Sequence, residues 1–103
     1  MDLENSFTPS VNDDPRRVRI MVVDDEEIVR ETLYNVLSTE PSFEVVAQLG
    51  SGREAIEQVQ AHQPDIVLMD INMPEMDGLT ATRQLKQIAP QSEVLMLTVN
   101  SGQ

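Results

Sequence analysis

Hydrophobic residues in this chain follow two alternating rhythms. Short unbroken runs occur at Val18-Arg19-Ile20-Met21-Val22-Val23, Phe43 to Gln48, Ile66-Val67-Leu68-Met69 and Val94-Leu95-Met96-Leu97. Between them, apolar residues recur every three or four positions, the period of a helix with one buried face. The first such stretch carries Ile28, Val29, Leu33, Val36 and Leu37, and Pro41 blocks its extension. In the second, Ser51 with Glu54 three residues on predicts a capping box, Ala55, Ile56 and Val59 form the stripe, and Pro64 closes it. In the third, Leu79, Thr82, Leu85 and Ile88 or Ala89 form the stripe, and Pro90 ends it. Strands alternating with such helices predict βαβ units, a parallel sheet and right-handed crossovers that put helices on both faces. The Phe43 run is the least apolar and carries Glu44 and Gln48, so it is predicted as an edge strand.

The runs matter most where they stop. The first stops at Asp24-Asp25, the third at Asp70 and the fourth at Thr98. If these are neighbouring parallel strands, three carboxylates and a hydroxyl converge at the carboxyl edge of the sheet, where open α/β sheets bind ligands. Such a cluster is costly. Two unit charges about 4 Å apart repel by roughly 4 kcal/mol at an effective dielectric near 20. A divalent cation or a raised pKa relieves this. Mg2+ takes oxygen ligands in octahedral geometry, so the cluster reads as a magnesium site with one carboxylate left for chemistry.

Composition narrows the classes. The chain has 103 residues, a length that favours one domain. Aromatics are 3%, so the core must be aliphatic. The net charge of −11 disfavours direct contact with nucleic acid or an anionic membrane. There are no cysteines, which excludes disulfides and thiolate chemistry and fits a reducing compartment. No stretch is apolar enough for a signal core or a membrane span, and the expected location is the cytoplasm. Residues 1–16 are polar, contain Pro9 and Pro15, and are expected to form a flexible arm. The folded unit is expected over residues 17–103.

Three strings carry a resemblance: Val22-Val23-Asp24-Asp25-Glu26, then Asp65 through Asp70-Ile71-Asn72-Met73-Pro74-Glu75-Met76-Asp77-Gly78, then Leu95-Met96-Leu97-Thr98. In this order and spacing the chain resembles the receiver domain of bacterial two-component response regulators. The resemblance implies a flavodoxin-like, doubly wound parallel sheet with strand order 2-1-3-4. It implies a phospho-acceptor signalling module, not a turnover enzyme, with Asp70 taking a phosphoryl group from a sensor histidine kinase or histidine phosphotransfer protein. Mg2+ would be held by Asp25 directly, by Asp24 through water, by Asp70 and by the backbone carbonyl of Asn72. Thr98 would hydrogen-bond the phosphoryl group and couple it to loop movement. Pro74 would stiffen the loop after Asp70, and Gly78 would let it turn. A transcription-factor parent is a faint further implication of Ile88-Ala89-Pro90.

Two departures qualify the resemblance. The family places a phosphoryl-contacting lysine at the end of a fifth strand, whereas the one lysine here, Lys86, falls late in the third helix. Residues 98–103 also leave no length for a fourth helix, fifth strand and fifth helix. The expectation is therefore a C-terminally truncated receiver with impaired phosphotransfer. Val99 stands where the family more often has a small residue, which narrows access to Asp70. An interaction module that does not undergo phosphotransfer is the competing function, with a homodimer through the exposed sheet edge. A magnesium-dependent phosphatase is a third, disfavoured because its acceptor belongs on the first strand. His62 reads as a helix-end residue, Met73 and Met76 as loop packing, and Arg16, Arg17 and Arg19 as a solvated strand start.

Overall fold

A computed structural model describes residues 17–74 and 76–97. The arm expected over residues 1–16, together with Glu75, Thr98 and Val99, lies outside the described residues. The elements alternate as β1 (Val18–Val23), α1 (Glu27–Leu37), β2 (Phe43–Leu49), α2 (Gly52–His62), β3 (Ile66–Asp70), α3 (Gly78–Ile88) and β4 (Glu93–Leu97). The four strands form one sheet in the order β2-β1-β3-β4, parallel throughout. β2 is an edge strand, as its polar ends indicate. Val46 is an extra residue in the β1–β2 ladder, because Ile20 pairs with Val45 and Met21 with Ala47.

Alternation along the strands sorts the side chains to two faces. Met21, Val23, Val67 and Met69 are fully buried and pack with Ala55 and Val59 of α2 and Ala81 and Leu85 of α3. Val94 and Met96 of β4 pack against the same cluster. The third-helix stripe thus runs through Gly78, Ala81, Leu85 and Ala89. Leu79, predicted inside it, is instead 60% exposed. Leu79 is one residue, or about 100° of helical rotation, from Gly78, whose close contact with the sheet fixes the helix's rotation.

The opposite face is covered unevenly. α1 contacts β1 and β2, yet none of its residues is fully buried. Val29, Leu33 and Leu37 turn inward, while Ile28 and Val36, predicted in the same stripe, are 70% and 60% exposed. Among the described residues no second helix lies beside α1 on this face, so Val36 has no neighbour on its far side. Leu95 of β4, on the same face, is 48% exposed.

Arg17 and Arg19, at the start of β1, tie elements together instead of standing in solvent, while Arg16 lies outside the described residues. Arg17 donates to the Phe43 carbonyl at 2.6 Å. Arg19 donates to the His62 carbonyl at 2.7 Å and pairs with Glu44 at 3.6 Å. The Arg19 backbone N–H donates to Asp65 Oδ2 at 2.8 Å. No helix of the described residues is long and apolar enough to cross a membrane.

Candidate functional site at the carboxyl edge of the sheet

β1 and β3 are adjacent and in register, Val23 beside Met69. Asp24 and Asp70, which follow Val23 and Met69, therefore stand side by side at the carboxyl edge of the sheet. Asp24, Asp25 and Asp70 each present a carboxylate oxygen, and these oxygens lie within 4.8 Å of one another. Asp24 is 3% exposed and Asp70 8%, while Asp25 stands in solvent at the mouth.

Backbone donors orient two of the three acids. Asp24 Oδ1 accepts from the Glu26 N–H at 2.9 Å. Asp70 Oδ1 accepts from the Asn72 N–H at 3.1 Å. Both are turns in which a carboxylate bends its own chain back two residues on. The Asp24 N–H still belongs to the sheet and donates to the Leu49 carbonyl at 3.0 Å. The acid pair thus begins on rigid backbone and ends in a loop.

The electrostatics follow from the packing. Burial pushes the Asp24 carboxyl above its ordinary range; the Glu26 N–H opposes this, and the charges of Asp70, Asp25 and Glu26 add to it. Burial likewise raises Asp70, opposed by the Asn72 N–H and reinforced by Asp25. Oxygen donors held close together, two of them buried and strained by their own charge, suit a small hard dication.

The loop after Asp70 folds under the site. Met73 is buried in the core, and Met76 packs against it. Asp77 caps α3, its Oδ1 accepting from the Thr80 N–H at 2.8 Å, and that bond with the Thr80 hydroxyl holds its carboxyl below the usual range. Gly78 has an ordinary negative φ, so its role is not the turning freedom expected from sequence. It is a close approach instead: a Cβ there would meet the Asp70 carbonyl at 2.5 Å and the Ile71 Cα at 2.7 Å. The Gly78 N–H donates to the Ile71 carbonyl at 3.2 Å. Beside the acids, a cavity of about 350 Å³ is lined by Asp25, Ser51, Arg53, Met73, Pro74 and Met76, among others.

The remaining sequence candidates fall as follows. Asn72 is exposed and lies two residues after Asp70. Thr98 lies outside the described residues; Leu97, which precedes it, pairs with Asp70 in the sheet. Lys86 is in the last turn of α3, at the end of the helix away from the acids. His62 closes α2 and contacts Gln58 Oε1 at 3.2 Å. One residue that sequence reasoning missed is Arg30, whose Nη1 donates to the Asp24 carbonyl at 2.6 Å. It is the fourth residue of α1, and its sequence position gives no sign of this.

The family of the response regulator receiver domain matches residues 20–103. The chain belongs to that family. It is 41% identical over 87 residues to the transcriptional regulatory protein DegU of Brevibacillus brevis, covering 84% of this chain and 37% of that one. It is 42% identical over 85 residues to the chemotaxis protein CheY of Bacillus subtilis, covering 82% of this chain and 70% of CheY. Among solved structures, the complex of CheX, CheY, BeF3 and Mg2+ from Borrelia burgdorferi matches with a TM-score of 0.73 and 26% identity, over 79% of this chain and 61% of that one. The chain therefore spans well under half the length of DegU. The sheet order and its helices are those of a flavodoxin-like receiver. As a receiver domain, the protein is a two-component signalling module.

Proposed function

We propose that this receiver, carried by residues 17–103 with residues 1–16 as an arm outside it, accepts a phosphoryl group on Asp70 with Mg2+ bound by the neighbouring acids. The observation that carries the reading is the meeting of Asp24, Asp25 and Asp70 within 4.8 Å at the carboxyl edge of the sheet. Asp25 and Asp24 would hold the cation, with Asp70 and the Asn72 carbonyl completing the protein ligands. The cation supplies charge neutralisation for the transferring phosphoryl oxygens. In the related Borrelia CheY complex, Mg2+ and BeF3 are present together.

Asp70 is suited to be the nucleophile because its Oδ1 is pinned by the Asn72 N–H, which leaves the other oxygen for attack. In the step, an Asp70 oxygen forms a bond to phosphorus. The bond from phosphorus to the donor nitrogen or oxygen breaks, and the leaving group keeps its electron pair: a histidine nitrogen takes a proton from water, and an acyl oxygen leaves as a carboxylate. The product is an acyl phosphate. The donor would be a phosphohistidine of a sensor kinase or phosphotransfer protein. Thr98 would bond the phosphoryl group. Lys86 stands at the far end of α3, away from the acids. A cytoplasmic place for the module is in keeping with its lack of cysteines.

Incubation with Mg2+ and a small acyl phosphate, followed by intact-protein mass measurement, tests this. The expected result is addition of one phosphoryl group, dependent on Mg2+ and absent in D70N. Addition that does not need Mg2+ would refute the cation's part, and addition that persists in D70N would refute the acceptor.

The half-covered sheet face favours a second reading, an interaction module. Leu95, Val36 and Ile28 are exposed on one side of the molecule, and a second copy against β4 would cover Leu95. Light scattering after size exclusion distinguishes the two: a monomer at all concentrations argues against self-association.

A further inference from the structure

The β1–β2 ladder ends where the Asp24 N–H donates to Leu49. The next group along the chain, the Asp24 carbonyl, has left the sheet beside a buried carboxylate. A buried backbone carbonyl without a partner is costly. Arg30 reaches it from the first turn of α1, with Nη1 at 2.6 Å. The same guanidinium nitrogen lies against the β2–α2 turn, where a Cβ built on Gly50 would stand 3.4 Å from it.

This bond fixes more than one atom. The Asp24 carbonyl and the Asp25 N–H share a rigid peptide plane. Holding the carbonyl sets the torsion after Asp24 and the torsion before Asp25, and so the directions in which both carboxylates leave the chain. We propose that Arg30 is a positioning residue for the dication site: it touches neither cation nor phosphoryl group, yet it pre-sets the Asp24–Asp25 pair for Mg2+. The inference rests on the reading of the three acids as that site.

Charge and geometry make opposite predictions here. As a mere positive charge near the acids, Arg30 repels the dication, and its removal tightens binding. As a positioning donor, it aids binding, and its removal weakens it. Three variants of the full chain separate these: R30M, which keeps the apolar stem but has no donor, R30Q, which keeps a donor without charge, and R30K, which keeps both. Titration calorimetry with MgCl2 is the readout, and D25N is the control.

R30M is expected to bind Mg2+ about tenfold more weakly than the parent, the usual scale for residues that support metal ligands. R30K is expected to restore most of that loss. Amide spectra should show R30M folded, with shifts centred on Asp25 and Glu26. R30M binding as tightly as the parent, or more tightly, would overturn the proposal. If R30M does not fold, R30Q decides by its sign: binding no tighter than R30K supports positioning, and binding tighter than both R30K and the parent overturns it. Unchanged Mg2+ binding in D25N would instead overturn the site itself, whatever the Arg30 variants do.

Discussion

Replacing Asp70 with asparagine should make the metal-free protein more stable, although the residue is buried and hydrogen-bonded. The side chains are nearly isosteric, and the asparagine carbonyl can still accept from the Asn72 N–H as Asp70 Oδ1 does at 3.1 Å. What disappears is a charge that lies within 4.8 Å of two others. One such pair at an effective dielectric near 20 repels by about 3.5 kcal/mol. Asp25 is exposed, so solvent and salt screen much of its share, and a net gain of about 1–2 kcal/mol is the expectation. For a chain of this size, that raises the melting temperature by roughly 4–16 °C. Thermal unfolding followed by circular dichroism, in chelator at low salt near neutral pH, measures it. Saturating Mg2+ should then stabilise the parent more than D70N, because the parent's site binds the ion more tightly and a ligand of the folded state adds its binding free energy. A D70N protein less stable than its parent in chelator would refute the idea that the acids strain the fold. A difference between the two that Mg2+ leaves unchanged would refute Asp70 as part of the cation site.

Two further outcomes follow from the same site. Asp24 and Asp70 hold protons more tightly folded than unfolded, so the metal-free fold gains stability as pH falls through their raised values toward the ordinary 3.8 and loses it as pH rises. Urea melts in chelator from neutral to mildly acidic pH should show that rise, and D24N should reduce it; a fall over that range in the parent would contradict the assignment. Mg2+ affinity should weaken over the same window, because protons compete for the same oxygens. G78A should cost about 1–3 kcal/mol by overpacking α3 against the end of β3, and an unchanged denaturation midpoint would show that the helix start can retreat freely.

Much of this architecture is legible in the chain because its two central strands, β1 and β3, are mostly buried and end abruptly in acid. Val18–Val23 and Ile66–Asp70 are read almost to the residue, since a run such as Val-Leu-Met followed by Asp changes from core to rim in one step. The edge position of β2 shows in Glu44 and Gln48. Helical faces are less legible. Val36 satisfies the helical period and is exposed, because period says which residues share a face and not whether anything covers that face. Ala81, fully buried, escapes notice because a small side chain carries little signal. The acids are found by their place at strand ends, whereas Arg30 is not, because its partner is a backbone carbonyl, a group that every residue carries.

The missing side chain at Gly78 has a mechanical consequence. Nothing soft separates the carbonyl of Asp70 from the first turn of α3, so the joint has no slack. A helix of 11 residues is about 16 Å long, and a tilt of about 5° at its root swings its tip by roughly 1.4 Å. Strain introduced at the end of β3 would thus reach the distant end of α3, around Lys86, as a displacement large enough for another molecule to sense.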